Sequence, residues 1–426
     1  MESFVIEGGR PLTGTVRASG NKNGALPILA SSLLATGEVR LTNVPRIRDV
    51  ETMVDLLGDL GAGAEWTSRN EVRIDPSGVT KTDLDRELAQ EIRASFLLAG
   101  PLLARFGRVS VPPPGGDVIG RRRLDTHIHA FQELGVEVEL NGAYEMRTNG
   151  LRGKRMYLDE ASVMGTESAI MAAVLAEGET IVGHAACEPH IQDLCRFLAS
   201  IGARINGIGS NVLHIEGVES LSGGEYRIGP EHVEVASFAA LAAVTGGNVT
   251  IEDVEPDDLI AIVPAFRKLG IRMDVDGRSV HVAPEQDLRV VDDLGGQIPK
   301  IESGVWPAFP ADLTSIALTC ATQSHGTVLI FEKMFESRLF FVDKLVSMGA
   351  RIILCDPHRA VVTGPARLYG QRLESPDIRA GMAMVIAALC AEGCSSIGNI
   401  GQIDRGYERI DERLRQLGAG IERADL

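Results

Sequence analysis

Apolar stretches with helical spacing alternate along the chain with short stretches in which apolar and polar residues take turns, and a Gly repeatedly separates the two. In a first pattern, an apolar helix end is followed by Gly and an alternating strand, as in "LLATGEVRLTNV" and "VLAEGETIVGHA". Its glycines are Gly37, Gly107, Gly178, Gly247, Gly326 and Gly393, spaced by 70, 71, 69, 79 and 67 residues. Regular spacing of one helix-to-strand signal predicts six copies of one α/β unit.

A second pattern lies between consecutive members of the first and once after the last. It is an apolar helix end, Gly, a small or apolar residue and another strand, as in "FQELGVEVEL", "FLASIGARIN" and "LVSMGARIIL". Gly suits both places because the residue after a helix commonly adopts a left-handed conformation that only Gly takes without penalty. Each unit therefore reads helix, strand, helix, strand, with further strands in the more variable remainder. We expect six subdomains grouped three and three into two domains.

Length and composition agree with this organisation. A chain of 426 residues exceeds the usual size of one hydrophobic core, so two domains are expected. With 44% hydrophobic and 23% charged residues it is an ordinary globular protein, and 4% aromatic residues give little support to a surface for stacking nucleic-acid bases. The net charge of −16 argues against a general nucleic-acid or membrane-surface binder, so an anionic ligand must meet a local basic patch.

Cysteines and motifs exclude several other classes. The six cysteines, Cys187, Cys195, Cys320, Cys355, Cys390 and Cys394, have no Cys-x-x-Cys spacing, so neither a metal site nor a disulfide scaffold is expected, and a reducing cytoplasm is the simplest location. No signal peptide or membrane span is recognised. "GGDVIG" lacks the preceding strand of a dinucleotide fingerprint, and neither a Walker motif nor His-Glu-x-x-His occurs.

Several cations stand where apolar helices are predicted to begin. Lys22 and Asn23 lie in a Ser-Gly-rich loop before a helix, Arg93 and Arg379 open helices, and Arg405 precedes Gly ahead of another. An Arg at a helix N-terminus is unfavourable for the helix itself, and a bound anion would remove that conflict. The alternative is that each is a solvated charge at a helix end.

The stretch "PPPGGDVIGRRRLDTHIH" combines a Gly loop, one acid (Asp117) and three consecutive arginines. It is either a solvated surface loop or an anion-binding loop that carries an acid for chemistry. The "HIH" that ends it is more typical of a packed or surface element than of a metal site. Further on, Asp312 in "VWPAFPADLTSIAL" is predicted as the N-cap of an apolar helix.

Taken in order, the stretches resemble one family along essentially the whole chain. They are "ASGNKNGALPILASSLL", "NVPRIRDVETM", "EIRASFLLAGPLLAR", "PPGGDVIGRRRLDTHI", "HAACEPHIQDLCRFL", "WPAFPADL", "EKMFESRLF", "DIRAGMAM" and "IDRGYERIDERLRQLGA". In combination they are similar to the UDP-N-acetylglucosamine enolpyruvyltransferases, also called 1-carboxyvinyltransferases.

The resemblance implies an α/β fold of two domains, an inside-out α/β barrel with three βαβαββ units per domain. The N-terminal strand then belongs with the C-terminal half, so the domains are residues 22–233, with a mobile loop at 112–123, and residues 1–21 plus 234–426. The active site is expected in the cleft between them.

The resemblance further implies transfer of the enolpyruvyl group of phosphoenolpyruvate to the 3′-hydroxyl of UDP-N-acetylglucosamine, with release of phosphate. This reaction opens peptidoglycan precursor synthesis, and with it cell wall formation, cell shape and division. Acid-base chemistry of this kind calls for no metal and no redox cofactor. The two small molecules are the expected partners of a cytoplasmic monomer that binds neither nucleic acid nor membranes.

Site residues follow from the resemblance position by position. Asp117 matches the proton donor, Asp312 the base, and Lys22, Arg122 and Arg405 complete the catalytic set. Phosphoenolpyruvate is expected to contact Lys22, Asn23, Arg122, Arg379 and Arg405. UDP-N-acetylglucosamine is expected to contact Arg93, Arg122, Arg123, Leu124, Asp125, Thr126, Ser162, Val163, Asp312 and Met334.

Two departures from the family pattern stand out. Many members carry Cys where this chain has Asp117, so fosfomycin, which alkylates that Cys, is expected not to inactivate this protein covalently. Met164 replaces a frequent Gly beside the nucleotide contacts. Two other functions stay open at this point: enolpyruvyl transfer to a different acceptor, and a catalytically silent nucleotide-binding regulator. Phosphate release by the purified protein separates the regulator from both enzymes.

Overall fold

A computed structural model describes residues 2–116, 119–120 and 122–425. These residues form two compact units. Unit 1 contains residues 2–19, 119–120 and 230–425, and unit 2 contains residues 20–116 and 122–229. The boundaries predicted from the sequence lie at residues 22 and 234, and as limits of functional domains they stay a prediction.

Strands in the described residues are short and follow one another through the whole chain. They are β1 (Glu2–Glu7), β2 (Thr13–Arg17), β3 (Val39–Thr42), β4 (Gly63–Ser68), β5 (Glu71–Asp75), β6 (Arg108–Val111), β7 (Glu137–Leu140), β8 (Tyr144–Arg147), β9 (Arg155–Tyr157), β10 (Glu179–Gly183), β11 (Arg204–Asn206), β12 (Val212–Glu216), β13 (Gly224–Arg227), β14 (Asn248–Glu252), β15 (Asp274–Asp276), β16 (Ser279–Val282), β17 (Lys300–Glu302), β18 (Gly326–Phe331), β19 (Arg351–Asp356), β20 (Arg359–Gly364), β21 (Arg372–Glu374), β22 (Cys394–Gly398) and β23 (Gly420–Asp425).

Helices separate the strands. The α-helices are α1 (Lys22–Ser31), α2 (Arg48–Asp59), α3 (Arg86–Glu91), α4 (Ala99–Phe106), α5 (Asp125–Glu133), α6 (Val163–Ala173), α7 (Pro189–Ser200), α8 (His232–Val244), α9 (Ile262–Arg267), α10 (Thr314–Ala321), α11 (Val342–Ser347), α12 (Ile378–Cys390), α13 (Gly401–Asp404) and α14 (Ile410–Gln416). Short 3₁₀ helices span Ser32–Leu34, Pro76–Gly78, Arg93–Leu98, Pro256–Leu259 and Ala311–Leu313.

The strands of the described residues form three sheets in each unit. In unit 2 the strand orders are β13-β3-β5-β4, β6-β8-β7 and β9-β10-β12-β11. In unit 1 they are β2-β14-β16-β15, β17-β18-β20-β19 and β21-β22-β1-β23. One plan recurs: the strand after each first-pattern glycine pairs antiparallel with a central strand, and the strand after the second-pattern glycine lies beyond it at the edge. The prediction of six related α/β units is confirmed, and none of these sheets closes into a barrel.

The N-terminal strand completes the sixth unit. β1 lies between β22 and β23 and is antiparallel to both, in the central position that β5 or β12 holds in other sheets. β2 in turn runs parallel to β14, although the chain continues from β2 into α1 of the other unit. Each unit therefore contains strands from distant parts of the sequence.

The second-pattern glycines adopt the conformation that the sequence predicted. All have positive φ, from 80° to 117°, and they are Gly61, Gly135, Gly202, Gly270, Gly349 and Gly418. A side chain at these positions would strain the backbone, so Gly ends each outer helix and allows the next strand to return. In the first pattern Gly107, Gly178, Gly326 and Gly393 have positive φ, whereas Gly37 and Gly247 do not, and near Gly247 the positive φ of 65° falls on Gly246.

Apolar helices form the centre of each unit. α8, α10 and α12 pack against one another in unit 1, where their residues are buried almost throughout. In unit 2, α4 packs against α6, and α1 packs against the 3₁₀ helix that precedes α4. The close approach of α4 to α6 requires Gly100 on α4, because an added Cβ would lie 3.2 Å from the Ser168 carbonyl oxygen of α6. The candidate residues lie where these central helices begin.

Candidate active site

Residues expected from the sequence stand at the starts of the central helices. In unit 2, Lys22 is the first residue of α1, Arg93 opens the 3₁₀ helix before α4, and Val163 is the first residue of α6. In unit 1, Asp312 lies in the 3₁₀ helix before α10, and Arg379 is the second residue of α12. The repeated fold thus places each group at an equivalent point of its own unit.

Lys22 forms a buried ion pair. The structure corrects its expected position in a loop, because Asn21 is the N-cap and Lys22 already belongs to α1. The Lys22 Nζ lies 2.8 Å from Oδ2 of Asp49, on the first turn of α2, and both side chains are at most 10% exposed. Asn23 follows, half-buried. The Lys22 cation is therefore held at a helix N-terminus, where an anion is also favoured.

Arg93 binds the backbone that leads into α5. Its Nη2 donates to the carbonyl oxygens of Arg122 and Arg123, each at 2.9 Å. Burial, together with the charge of Arg122, lowers the pKa of Arg93 to about 10. Gly116 packs here as well, since an added Cβ would lie 2.8 Å from Cβ of Arg93 and 3.6 Å from Nη1 of Arg122. Two arginines therefore converge on the Gly loop within unit 2.

The start of α5 meets the start of α6. Ser162 is the N-cap of α6 and accepts a hydrogen bond from Gly165 N at 3.2 Å. An added Cβ on Gly165 would lie 2.9 Å from Cγ2 of Thr126, so the two helix starts are in contact. Thr126 is buried and donates to Asp159 Oδ1 at 2.7 Å. Val163 and Met164 continue α6, both half-buried.

The residues before Thr126 differ in exposure. Leu124 is buried and occupies the N-cap position of α5. Arg123 is exposed, and its Nε donates to Oδ2 of Asp125 at 3.0 Å. Arg123 and Asp125 thus lie at the surface of unit 2, beside Arg93 and Arg122.

His127 belongs to the packing of unit 2. It lies inside α5, is 1% exposed, bonds Oγ of Ser168 through Nδ1 at 2.8 Å and packs edge-on against Phe96. Burial, with the nearby charge of Arg93, lowers the pKa of His127 to about 3. A packed role fits the sequence prediction for "HIH".

Asp312 is held by two arginines rather than serving as a helix cap. The N-cap prediction is wrong: Pro310 caps the 3₁₀ helix that contains Asp312, and Leu313 is the cap residue of α10. Arg338 Nη2 donates to Asp312 Oδ1 at 2.9 Å. Arg379 donates to Oδ2 from Nε at 3.0 Å and lies 2.9 Å away through Nη2. The carboxylate is 29% exposed, whereas both arginine side chains are at most 5% exposed.

Arg379 stands among further titratable groups of unit 1. Burial disfavours its charge, but Asp312, with Tyr407 and Glu231, outweighs burial and raises the pKa of Arg379. Burial likewise raises the pKa of Glu231, and Arg379 offsets part of that effect. The Arg379 guanidinium lies over the Tyr407 ring at 5.5 Å. Its Nη1 is buried and forms no hydrogen bond to the part of the chain that the structure describes.

Arg405 ends α13 and lies ahead of α14, which begins at Ile410, so it is not itself at a helix start. It is the C-cap residue of α13, a position where a cation is favoured, so the expected conflict with a helix dipole does not exist there. Its Nη1 donates to Gln402 Oε1 at 3.0 Å. The next residue, Gly406, packs so closely on Ile378 that a Cβ would lie 2.3 Å from its Cγ2. This contact brings Arg405 beside the start of α12.

Met334 and Asp117 complete the expected residues. Met334 is 40% exposed, and its N–H donates to Oε1 of Glu332 at 2.7 Å, four residues before Arg338. Asp117 lies outside the described residues. The structure thus brings Asp312 and Arg379 together in unit 1, where Arg405 adjoins the contact of Gly406 with Ile378. It brings Arg93, residues 122–126, Ser162 and Val163 together in unit 2.

The partners of the expected residues were not recognisable from the sequence. Asp49, Arg338, Glu231 and Tyr407 were not singled out, although the first, second and last lie inside the stretches "NVPRIRDVETM", "EKMFESRLF" and "IDRGYERIDERLRQLGA". Pairs that are distant in sequence leave no periodic signal. A buried opposite charge is nonetheless expected wherever a buried cation is inferred.

Among the described residues, no group of three or more His, Cys, Asp or Glu side chains could hold a metal ion. In the same residues, every helix is too short or too polar to cross a bilayer.

Known proteins resemble the chain along its whole length. The model of the family EPSP synthase (3-phosphoshikimate 1-carboxyvinyltransferase) matches residues 6–414. The chain is 55% identical over 420 residues to the UDP-N-acetylglucosamine 1-carboxyvinyltransferase of Bradyrhizobium diazoefficiens, covering 99% of this chain and 97% of that protein. It is 54% identical over 422 residues to the enzyme of the same name from Treponema denticola, covering 99% of each.

Solved structures share the fold. The enolpyruvyl transferase NikO from Streptomyces tendae superposes with a TM-score of 0.89 at 23% identity and covers 99% of both chains. EPSP synthase from Acinetobacter baumannii gives 0.76 at 18% identity over the full length of both. These likenesses confirm the predicted enolpyruvyltransferase fold. The long relatives at more than half identity decide the family: the chain is an enzyme that belongs to the UDP-N-acetylglucosamine 1-carboxyvinyltransferases of the EPSP synthase family.

Proposed function

We propose that this enzyme transfers the enolpyruvyl group of phosphoenolpyruvate to the 3′-hydroxyl of UDP-N-acetylglucosamine and releases inorganic phosphate. The observation that carries the proposal is the arrangement around Asp312. One partly exposed carboxylate is held between the buried guanidinium groups of Arg338 and Arg379. Addition of a hydroxyl to a phosphorylated enol requires a base for the hydroxyl proton and, beside it, cations that can hold an anion.

The reaction assigns a task to each group. Asp312 accepts the proton of the sugar hydroxyl as its oxygen bonds to C2 of phosphoenolpyruvate, and Asp117 donates a proton to C3. The resulting ketal loses phosphate when C3 gives up a proton again, which leaves the enolpyruvyl ether. Addition and elimination thus balance without an oxidant or a metal.

Cations hold the phosphoenolpyruvate. We assign this role to Lys22, Asn23, Arg122, Arg379 and Arg405. The assignment of Lys22 is supported by its burial at the start of α1, and that of Arg379 by a buried Nη1 that has no partner in the described part of the chain. Guanidinium forks suit phosphate and carboxylate because they offer paired donors.

The nucleotide sugar has its own set of contacts. It meets Arg93, Arg122, Arg123, Leu124, Asp125, Thr126, Ser162, Val163, Asp312 and Met334. Contact between the starts of α5 and α6 supports this grouping within unit 2, because it gathers backbone N–H groups and arginines at one place. Residues of both units serve one reaction under this proposal.

The wider role follows from the substrates. The product is a precursor of peptidoglycan, so the enzyme would serve cell wall formation, cell shape and cell division. We propose that it acts in the cytoplasm, as a monomer.

Phosphate release by the purified protein tests the function. Phosphoenolpyruvate is supplied with and without UDP-N-acetylglucosamine, and the product is weighed by mass spectrometry. Release that depends on the sugar, with one enolpyruvyl group added, is the expected result. Release with shikimate 3-phosphate or another nucleotide instead would change the acceptor, and no release from folded protein with any acceptor would favour a binding protein.

A further inference from the structure

A buried glutamate near Asp312 has no part in the reaction described so far. Glu332 directly follows β18 and is 0% exposed. Its Oε1 accepts hydrogen bonds from the N–H groups of Met334 and Phe335 at 2.7 and 3.1 Å, and its Oε2 accepts one from Thr314 Oγ1 at 2.7 Å. A buried carboxylate is costly unless such donors compensate it. Three donors therefore fix this side chain in one position.

The donors belong to two separate elements that both lead to Asp312. Thr314 is the first residue of α10, two positions after Asp312. Met334 and Phe335 begin a turn that ends at Arg338, whose Nη2 holds Asp312 Oδ1 at 2.9 Å. Hydrogen bonds join Thr314 to Glu332 and Arg338 to Asp312, while the chain itself joins Asp312 to Thr314 and Glu332 to Arg338. The four residues therefore form a closed ring of contacts. One carboxylate thus ties the helix start that carries Asp312 to the turn that carries its arginine.

Simple support of the β-strand does not require this side chain. The end of β18 is held through the backbone, because Glu332 N donates to the His358 carbonyl at 2.8 Å and the Glu332 carbonyl bonds His358 Nδ1 at 2.7 Å. The Glu332 carboxylate makes its described bonds only to the helix start and the turn. Hydrogen bonds to a charged acceptor are stronger than neutral ones, which suits a clamp between two elements.

We propose that Glu332 is a positioning residue for enolpyruvyl transfer, which holds the turn 332–338 against the start of α10 and thereby keeps Arg338 on Asp312. This inference rests on the proposed role of Asp312. It assigns Glu332 no contact with substrate.

Three variants separate positioning from ordinary stability. Glu332→Gln keeps an oxygen for the two backbone N–H groups and places an amide opposite the Thr314 hydroxyl, which can accept. Glu332→Ala removes every bond. Thr314→Val removes only the bond to the helix start, and it tests the idea even if Glu332→Ala fails to fold. Lys333→Ala, exposed on the same turn, is the matched control.

Steady-state kinetics and amide hydrogen exchange give the decisive readouts. We expect kcat to fall by about 10- to 100-fold in Glu332→Ala and less in Thr314→Val, because small misplacements of reacting groups are this costly. Glu332→Gln and Lys333→Ala are expected to retain nearly full kcat. Exchange at Met334 and Phe335, measured without substrate, should speed up in Glu332→Ala but not in Glu332→Gln.

Other results would overturn the proposal. Full kcat in folded Glu332→Ala, or in Thr314→Val, would do so, as would a loss of kcat with unchanged exchange at Met334 and Phe335. Failure of the proposed function looks different, because the wild-type enzyme would then form no enolpyruvyl product while the exchange results would stand.

Discussion

Arg379 directs two donors at a single oxygen of Asp312: Nε lies 3.0 Å and Nη2 2.9 Å from Oδ2. Arg338 occupies the other oxygen, so the carboxylate is oriented by two arginines that come from different elements. Because these guanidinium groups are buried, their geometry is determined by packing and not by the side chain of Asp312 alone. The Asp312 carboxylate is therefore held in a fixed orientation at the start of a central helix.

Replacing Asp312 by Asn tests whether this carboxylate is the base. Asn keeps an oxygen for one arginine but turns its NH2 toward the other, so some stability should be lost and circular dichroism must show a folded variant. The amide cannot accept the hydroxyl proton. We expect kcat to fall by at least about 10²-fold, the usual scale of a lost general base, while binding of UDP-N-acetylglucosamine, measured by calorimetry, stays close to that of wild type. Asp343→Asn, an exposed carboxylate of unit 1, should leave kcat unchanged. Near-normal turnover by Asp312→Asn would assign the base elsewhere.

Local sequence patterns predicted where helices and strands lie better than which strands pair with one another. The Gly that ends each outer helix was predictable because its conformation depends on neighbouring residues, and Gly61 and Gly418 both show the expected positive φ. The position of β1 between β22 and β23 depends on pairing across the whole chain, which no local pattern contains. The resemblance to a family, not periodicity, assigned the N-terminal strand to the C-terminal half, and it did not give the pairing.

The same distinction applies to the candidate site. Lys22, Asp312 and Arg379 were named because the residues around them are recognisable, but Arg338 was not, since its contact with Asp312 spans 26 residues and follows from packing. Arg405 was placed ahead of a helix, and α14 does follow from Ile410, but the four-residue α13 that Arg405 caps is too short to give a periodic signal.

The buried pair of Lys22 and Asp49 provides a test that separates stability from activity. Removal of one member leaves a buried charge poorly compensated, at a cost of about 3–5 kcal/mol. We therefore expect Asp49→Asn to lower the thermal unfolding midpoint of the enzyme, and Lys22→Met to do the same. The double variant should regain much of the lost stability, because neither charge is left alone.

Activity should follow a different pattern in these variants. The double variant, although more stable, should remain inactive, since Lys22 is assigned to phosphoenolpyruvate. Calorimetry of phosphoenolpyruvate binding checks this directly, with Lys81→Met, the cation of an exposed pair with Asp59, as the control. An active double variant would show that Lys22 serves only the fold.

We expect His127 to make the folded protein sensitive to acid. Its pKa is about 3 in the folded protein, against an ordinary value of 6.5, so the unfolded chain binds more protons between these limits. Stability should therefore be lost as the pH falls from about 6.5 toward 3, by about 2 kcal/mol between pH 7 and pH 5 from this residue alone.

The measurement is the urea midpoint of unfolding at pH 7 and pH 5 for wild type and His127→Gln. The variant should be less stable at pH 7, because the bond to Ser168 and the packing on Phe96 change, yet it should lose less stability on acidification. His129→Gln, on the same helix but partly exposed, should retain the wild-type dependence on pH. Equal acid sensitivity in His127→Gln and wild type would show that His127 does not govern it.

Fosfomycin tests the consequence of Asp at position 117, which lies outside the described residues. A carboxylate lacks the thiolate that opens the epoxide in family members with Cys, because thiolates are far stronger nucleophiles. Intact-mass spectrometry of the enzyme incubated with fosfomycin and UDP-N-acetylglucosamine should show no added mass, and activity should return on dilution. Asp117→Cys is the positive control and should gain one adduct at residue 117 with a time-dependent loss of activity. A covalent adduct on wild-type Asp117 would contradict the prediction and make this carboxylate a nucleophile in its own right.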